Sequence, residues 1–280
     1  MIAAIAILTI QSCTKNDALD QISIDLADDD AVSEAVFDDI FNSVDNADIM
    51  LNSFLKGDAA KSDLVVITDS CPSITITHPS DGIWPKTITV DFGTGCPGLY
   101  DNTRSGKIII IVSGPRMTEG STKSVTFENY FFNGIKVEGT KVIENMGYNN
   151  NQNLVFSASL SNGKLTLPDG KTIQRSFNHE REWIAGLQTR NIWDDECMVT
   201  GTATGVNING AAYTNTISTA LYWKRVCRFV VSGIVKIERA GMDPIELNYG
   251  TGECDALATV TRGGESKEIT LRHRHRLMGN

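Results

Sequence analysis

The chain has 280 residues, of which 21% are charged and 41% hydrophobic, and a formal net charge of −9. That length supports one large or two small β domains with real cores. The acidic balance disfavours nucleic-acid binding, and no apolar run reaches the roughly 18–20 residues that a membrane-spanning helix needs.

Residues Ile2 to Ile10 are apolar apart from Thr9, and Gln11, Ser12 and Cys13 follow. An apolar run ending in a small residue has the shape of a secretory leader. Lys and Arg are absent before it, as a start placed too late would leave it. Read without a leader, Met1 to Ile10 would instead be a buried first strand.

From Thr14 to Ala60 there are twelve acidic and two basic residues, so the rest of the chain is nearly neutral. Within that arm Val32, Val36, Ile40, Val44, Ala47 and Phe54 recur at helical spacing. The pattern predicts one amphipathic helix from about Asp30 to Leu55, behind a tether and with Asp28-Asp29-Asp30 at its N-terminus, where carboxylates suit the helix dipole. The acidic residues are expected to form its cap and a solvated face; an unspecific calcium site at Asp28-Asp29-Asp30 is the other reading.

From Leu64 onward, short alternating runs are broken by Gly, Asn, Asp and Pro every eight to twelve residues. The fold expected is mainly β: an antiparallel β-sandwich or extended β-sheet units, internally related, with one N-terminal helix. Among the expected strands are Ser73–Thr77, Thr87–Asp91, Ile135–Ile143, Thr172–Phe177, Arg181–Trp183 and Met198–Thr204. The expected divisions are a leader over 1–12, an acidic tether and helix over 13–62, a first β unit over 63–178 and a second over 179–280. An outer-membrane barrel fits poorly, because such strands run about 9–11 residues with an apolar outer face.

Two stretches carry the internal relation. Val90-Asp91-Phe92-Gly93-Thr94-Gly95-Cys96 and Leu247-Asn248-Tyr249-Gly250-Thr251-Gly252-Glu253-Cys254 share an aliphatic residue, Asp or Asn, an aromatic, Gly-Thr-Gly and a cysteine. Each has a cysteine upstream, Cys71 and Cys227, with strand-like runs between. Each is read as a hairpin ended by a glycine bend and clamped by a disulfide. The repeat pairs Cys71 with Cys96 and Cys227 with Cys254, each closing a loop of about 25 residues worth roughly 3 kcal/mol; other pairings among five cysteines stay open, and Cys197 is left over. A second echo places Asn-Gly turns at Asn133-Gly134 and Asn209-Gly210.

Ile10-Gln11-Ser12-Cys13 resembles a bacterial lipobox, which implies that Cys13 is the lipidated first residue of the mature protein. Thr14 is not the aspartate associated with inner-membrane retention, so the resemblance points to the outer membrane. With the acidic leader and the Gly-Thr-Gly-Cys hairpins, most of the chain resembles the uncharacterised β-rich envelope lipoproteins of the Bacteroidota. That family implies no activity, substrate or cofactor.

Two clusters could carry chemistry. Trp183 and Trp193 lie near Asp194-Asp195-Glu196, and glycosidases pair carboxylates beside aromatic sugar platforms. Strand alternation lets only Asp194 and Glu196 converge, and a polar turn before a strand explains the same residues. In Arg272-His273-Arg274-His275-Arg276, a strand would put the arginines on one face and His273 and His275 on the other, as an anion stripe, a metal pair or a charged edge. His78 and His179 have no evident partner, and no nucleophile elbow, P-loop, dinucleotide fingerprint or HExxH occurs. The expectation is a non-enzymatic, lipid-anchored envelope protein with a binding or structural role, no cofactor, and a glycan or envelope protein as partner. The alternative is a secreted glycan-binding or polysaccharide-processing module.

Overall fold

The computed structural model describes residues 19–54, 64–68, 71–77, 84–98, 102–189 and 191–271. One helix, α1 (Gln21–Phe54), is followed by β1 (Leu64–Thr68), β2 (Ser73–Thr77), β3 (Lys86–Asp91), β4 (Cys96–Pro97), β5 (Thr103–Val112), β6 (Thr122–Phe132), β7 (Ile135–Tyr148) and β8 (Leu154–Thr166). Then come β9 (Thr172–Ala185), β10 (Glu196–Val206), β11 (Ala212–Lys224), β12 (Ser232–Glu238), β13 (Ile245–Thr251), β14 (Leu257–Arg262) and β15 (Glu265–Thr270). All belong to a single antiparallel sheet in which each strand pairs with the next in sequence, save that β3 pairs with β5 and the short β4 sits beside β5. The sheet is not closed, and its path ends at β1 and β15.

Alternation decides what the sheet turns inward. In β9 the buried positions are Ile173, Arg175, Phe177, His179, Arg181 and Trp183, and the residues between them face outward. Arg181 lies opposite Phe156 of β8 and Val199 of β10, and Trp183 opposite Leu154 and Cys197, so the inner ladder mixes cations with aromatic and aliphatic groups. This inner face wraps α1. The central and C-terminal parts of the helix share a core with β2 to β11, including Val36, Phe37, Ile40, Phe41 and Val44. Leu26 and Ala27, near its start, pack into a second core with Tyr213, Leu221, Leu247 and Val260.

Helix α1 begins nine residues earlier than the expected Asp30, because Asp20 caps it: its carboxylate accepts the Ser23 amide at 2.9 Å and the Ser23 hydroxyl at 2.7 Å. Asp28-Asp29-Asp30 therefore lies inside the helix. At roughly 50 Å of length, α1 runs beside most of the sheet.

The expected strands Thr172–Phe177 and Arg181–Trp183 are one strand, β9, so the expected boundary at 178/179 falls inside a strand that pairs with both neighbours. Strands reach 14 residues in β7 and β9, longer than the runs read from the sequence. Bulges let so long a sheet bend. At the irregularity in β10 between Val199 and Thr202, Gly201 has φ +134°, and a Cβ there would lie 2.2 Å from the carbonyl oxygen of Asn178.

The two related hairpins are β2–β3 and β12–β13, which lie near opposite ends of the sheet path. The first Gly-Thr-Gly follows β3, whereas Gly250 and Thr251 end β13 itself, with Gly93, Gly250 and Gly252 at positive φ. Cys71 pairs with Cys96 and Cys227 with Cys254, with Cα separations of 5.6 and 5.1 Å, and Cys197 is free and buried.

Candidate functional site

The acidic face of α1 is the largest departure from the sequence reading. Asp29, Asp30, Glu34, Asp45 and Asp48 are buried, not solvated. Each faces cations or hydrogen-bond donors carried by the sheet. Arg175 bridges Asp30 and Glu34, approaching Glu34 at 2.7 Å, and Asp30 also accepts Asn215 Nδ2 at 2.6 Å. Arg181 pairs with Asp38 and Arg104 with Asp39. Asp45 is held by Arg116 and, at 3.3 Å, by Arg225; Asp48 meets Lys123 at 2.7 Å. Lys141 donates to the Phe37 carbonyl at 3.0 Å. Carboxylates removed from water require such partners, and the cations sit at inward positions of β5, β6, β7 and β9 or in adjoining loops.

Burial sets the protonation of this interface. The Lys141 ammonium is pushed down to about 7, chiefly by loss of solvent and against the pull of Asp38. Lys123 falls to about 8 for the same first reason. His179, 3.8 Å from Glu34 and stacked on Phe177 with ring centroids 4.4 Å apart, falls to about 3 through burial and the nearby Arg175. This histidine is a packed core residue. Burial raises the Asp38 carboxyl, Arg181 opposing the shift, and lifts the Cys197 thiol to about 12.

One stripe of α1 is less covered. Ala31, Ala35, Asp38, Asn42, Asn46 and Met50, spaced three or four apart, are only partly buried or exposed, and all line a cavity of about 560 Å³. Its walls come from both ends of the sheet path: Ile74, Val90 and Phe92 on one side, Val230, Tyr249 and Leu271 on the other, with Trp193 and Trp223 contributing as well. The volume lies within the range of small-molecule sites, about 300–1,000 Å³. Most of the wall is aliphatic or aromatic. The carboxylates in the lining, Glu34, Asp38 and Asp39, are each paired with an arginine.

The sequence candidates separate. Trp183 is 2% exposed, packed on Phe156 and Phe41 with the Arg116 guanidinium 5.6 Å from its ring, so it is a core residue and no sugar platform. Trp193, 42% exposed, sits on a 3-10 turn over Ile192–Asp194 and lines the cavity. Asp194 accepts the Thr189 hydroxyl at 2.8 Å, which closes its own loop, whereas Glu196 accepts the Tyr222 hydroxyl and raises that phenol to about 12. Asp195, between them, is buried 3.5 Å from Arg225. The loop thus engages its carboxylates in separate structural contacts.

In place of a calcium site, Asp29 accepts the Ile208 amide at 3.2 Å and Asp30 is held by Arg175 and Asn215. Among the described residues no group of three or more His, Cys, Asp or Glu could hold a metal ion. Cys13, His78, His273 and His275 lie outside the described residues. Among the described residues no helix is long and apolar enough to cross a membrane. Comparison with family models, with curated proteins and with solved structures finds no match.

Sequence reasoning missed the cavity and the buried cations. A signal for the cations was present: Ile173, Arg175, Phe177, His179, Arg181 and Trp183 alternate on one face, and aromatic and basic residues sharing a strand face with an aliphatic one suit an inner surface that must meet buried acids.

Proposed function

We propose that this chain is a non-enzymatic binding protein of the bacterial cell envelope, exported and held at the outer membrane by a lipid on Cys13, with its ligand site in the cavity between α1 and the two ends of the sheet. The cavity carries the reading. It has the size of a small-molecule site and an apolar wall with paired charges. The two cysteine pairs favour an oxidising compartment, because disulfides persist outside the reducing cytosol. The lipobox-like Ile10-Gln11-Ser12-Cys13 supports the anchor. Labelling with a palmitate analogue in a bacterial host, with basic residues added before Ile2, is expected to mark the wild type and not Cys13→Ala; equal absence of label in both removes the anchor.

Trp193, exposed at the cavity, favours the second reading, a glycan-binding module. A glycan panel tests it, with Trp193→Ala as control: no saturable binding by the wild type overturns that alternative.

A further inference from the structure

The two ends of the wrapped sheet differ in what they show to solvent. From β5 onward each strand runs antiparallel to the next, so successive connections alternate between the ends. The end where α1 finishes holds the connections β5–β6, β7–β8, β9–β10, β11–β12 and β13–β14, since Asp45 pairs there with Arg116 of the first and Arg225 of the fourth. At or beside each of the five stands an exposed large hydrophobic residue, Met117, Tyr148, Trp193, Val226 and Leu257 in that order, and Met50 near the end of α1 joins them. Each is between 39% and 51% exposed. The five connections at the other end carry none, and tight turns such as Asn133-Gly134 and Gly263-Gly264 lie among them. Single exposed apolar residues are ordinary on a protein surface; their collection at one end is not.

The spacing of this rim indicates its partner. Successive connections at one end are two strands apart, about 10 Å, and exposed Glu119, Asn151, Asp194 and Asp255 stand among the apolar residues. A protein partner needs a continuous dry patch with its polar groups at the edge. A bilayer takes apolar side chains one at a time, while their polar neighbours stay in the headgroup region, where Trp and Tyr are favoured. Charge sets the headgroup class. Among the described residues of these connections, Glu119, Asp194, Glu253 and Asp255 are exposed and acidic against exposed Arg228, so an anionic surface is repelled.

We propose that this rim is a membrane-contacting surface that dips its apolar side chains into a bilayer of zwitterionic lipids. It lies roughly 50 Å along α1 from Gln21, the end that the segment from Cys13 joins. The rim therefore acts apart from the lipid anchor and meets a bilayer at the far end of the body.

The test uses the full chain with Cys13→Ala, which carries no lipid, and phosphatidylcholine vesicles whose acyl chains are brominated, because bromine quenches indole fluorescence on contact. Saturable quenching is expected of the part of the emission that Trp193→Phe removes, and about 0.5 M salt should leave it unchanged because the contact is apolar. Quenching of Trp193 reports the rim itself, whatever the apolar run before Cys13 does. Met117→Ser with Val226→Ser and Leu257→Ser should raise the lipid concentration needed by roughly tenfold or more. Ile22→Ser, at a position similarly exposed at the other end of α1, should change nothing. Met50→Ser with Tyr148→Ser is the second set should the triple variant fail to fold, as judged by far-UV circular dichroism. Absence of Trp193 quenching, quenching unmoved by a folded rim variant, or an equal loss in Ile22→Ser overturns the proposal. A concentration-dependent dimer in analytical ultracentrifugation that the rim variant breaks, without Trp193 quenching, overturns it in favour of self-association.

Discussion

Arg175 offers the most direct test of the buried acidic helix. It is 3% exposed and lies against Asp30, 1% exposed, and Glu34, 7% exposed, so Arg175→Met would leave two buried carboxylates without their guanidinium, Asp30 keeping only the Asn215 amide. Removing one partner of a buried ion pair costs about 3–5 kcal/mol because the remaining charge stays uncompensated. For a chain of this size each kcal/mol moves the melting temperature by about 2–4 °C, so a fall of roughly 6–20 °C is expected by circular dichroism or scanning fluorimetry. Removing the stranded charges as well, in Arg175→Met with Asp30→Asn and Glu34→Gln, should restore more than half of the loss. A cost below about 1 kcal/mol for Arg175→Met would refute the buried pairing.

Lys141, with its pKa pushed down to about 7, binds fewer protons folded than unfolded between pH 7 and 9. It therefore adds stability as pH rises, by up to about 1.4 kcal/mol per pH unit; urea denaturation at pH 7, 8 and 9 should show a shallower rise in Lys141→Met than in the wild type. Peptide mapping without reduction should recover Cys71 with Cys96 and Cys227 with Cys254, and any other pairing would sink the hairpin relation. The Cys197 thiol, buried and raised to about 12, should resist an aromatic disulfide reagent in the native protein and become reactive in urea, a gain of one thiol that Cys197→Ser abolishes. Gly201→Ala should cost about 2 kcal/mol or more in urea unfolding, since it pairs positive φ with a backbone clash; a neutral result would mean that the β10 bulge can relax.

Local patterns carried the elements. Alternation in Ser73–Thr77 and in Ile88, Val90, Ile108 and Ile110 reads directly as half-buried strands, and the Asn133-Gly134 turn joins β6 to β7 with both residues at positive φ. Helical spacing from Val32 to Phe54 located α1, although its start depended on one capping contact at Asp20 that the Asp28-Asp29-Asp30 run outweighed in the sequence. Trp183 and Trp193, ten residues apart, read alike as sugar platforms. One is an inward strand position and the other a turn, a difference that follows from where β9 ends.

The sequence by itself determined a mainly antiparallel chain with one long helix and two related cysteine-bounded hairpins, because strand alternation, helical periodicity and turn chemistry act over a few residues. Only the tertiary structure decided that the acids are buried, that the domain boundary expected at 178/179 lies within β9, and that a cavity lies between α1 and both ends of the sheet path. Asp30 meets Arg175 across 145 positions of chain, and Asp45 meets Arg225 across 180. A carboxylate has the same local signature whether water or a guanidinium satisfies it; which one does depends on how a sheet of this length bends around the helix.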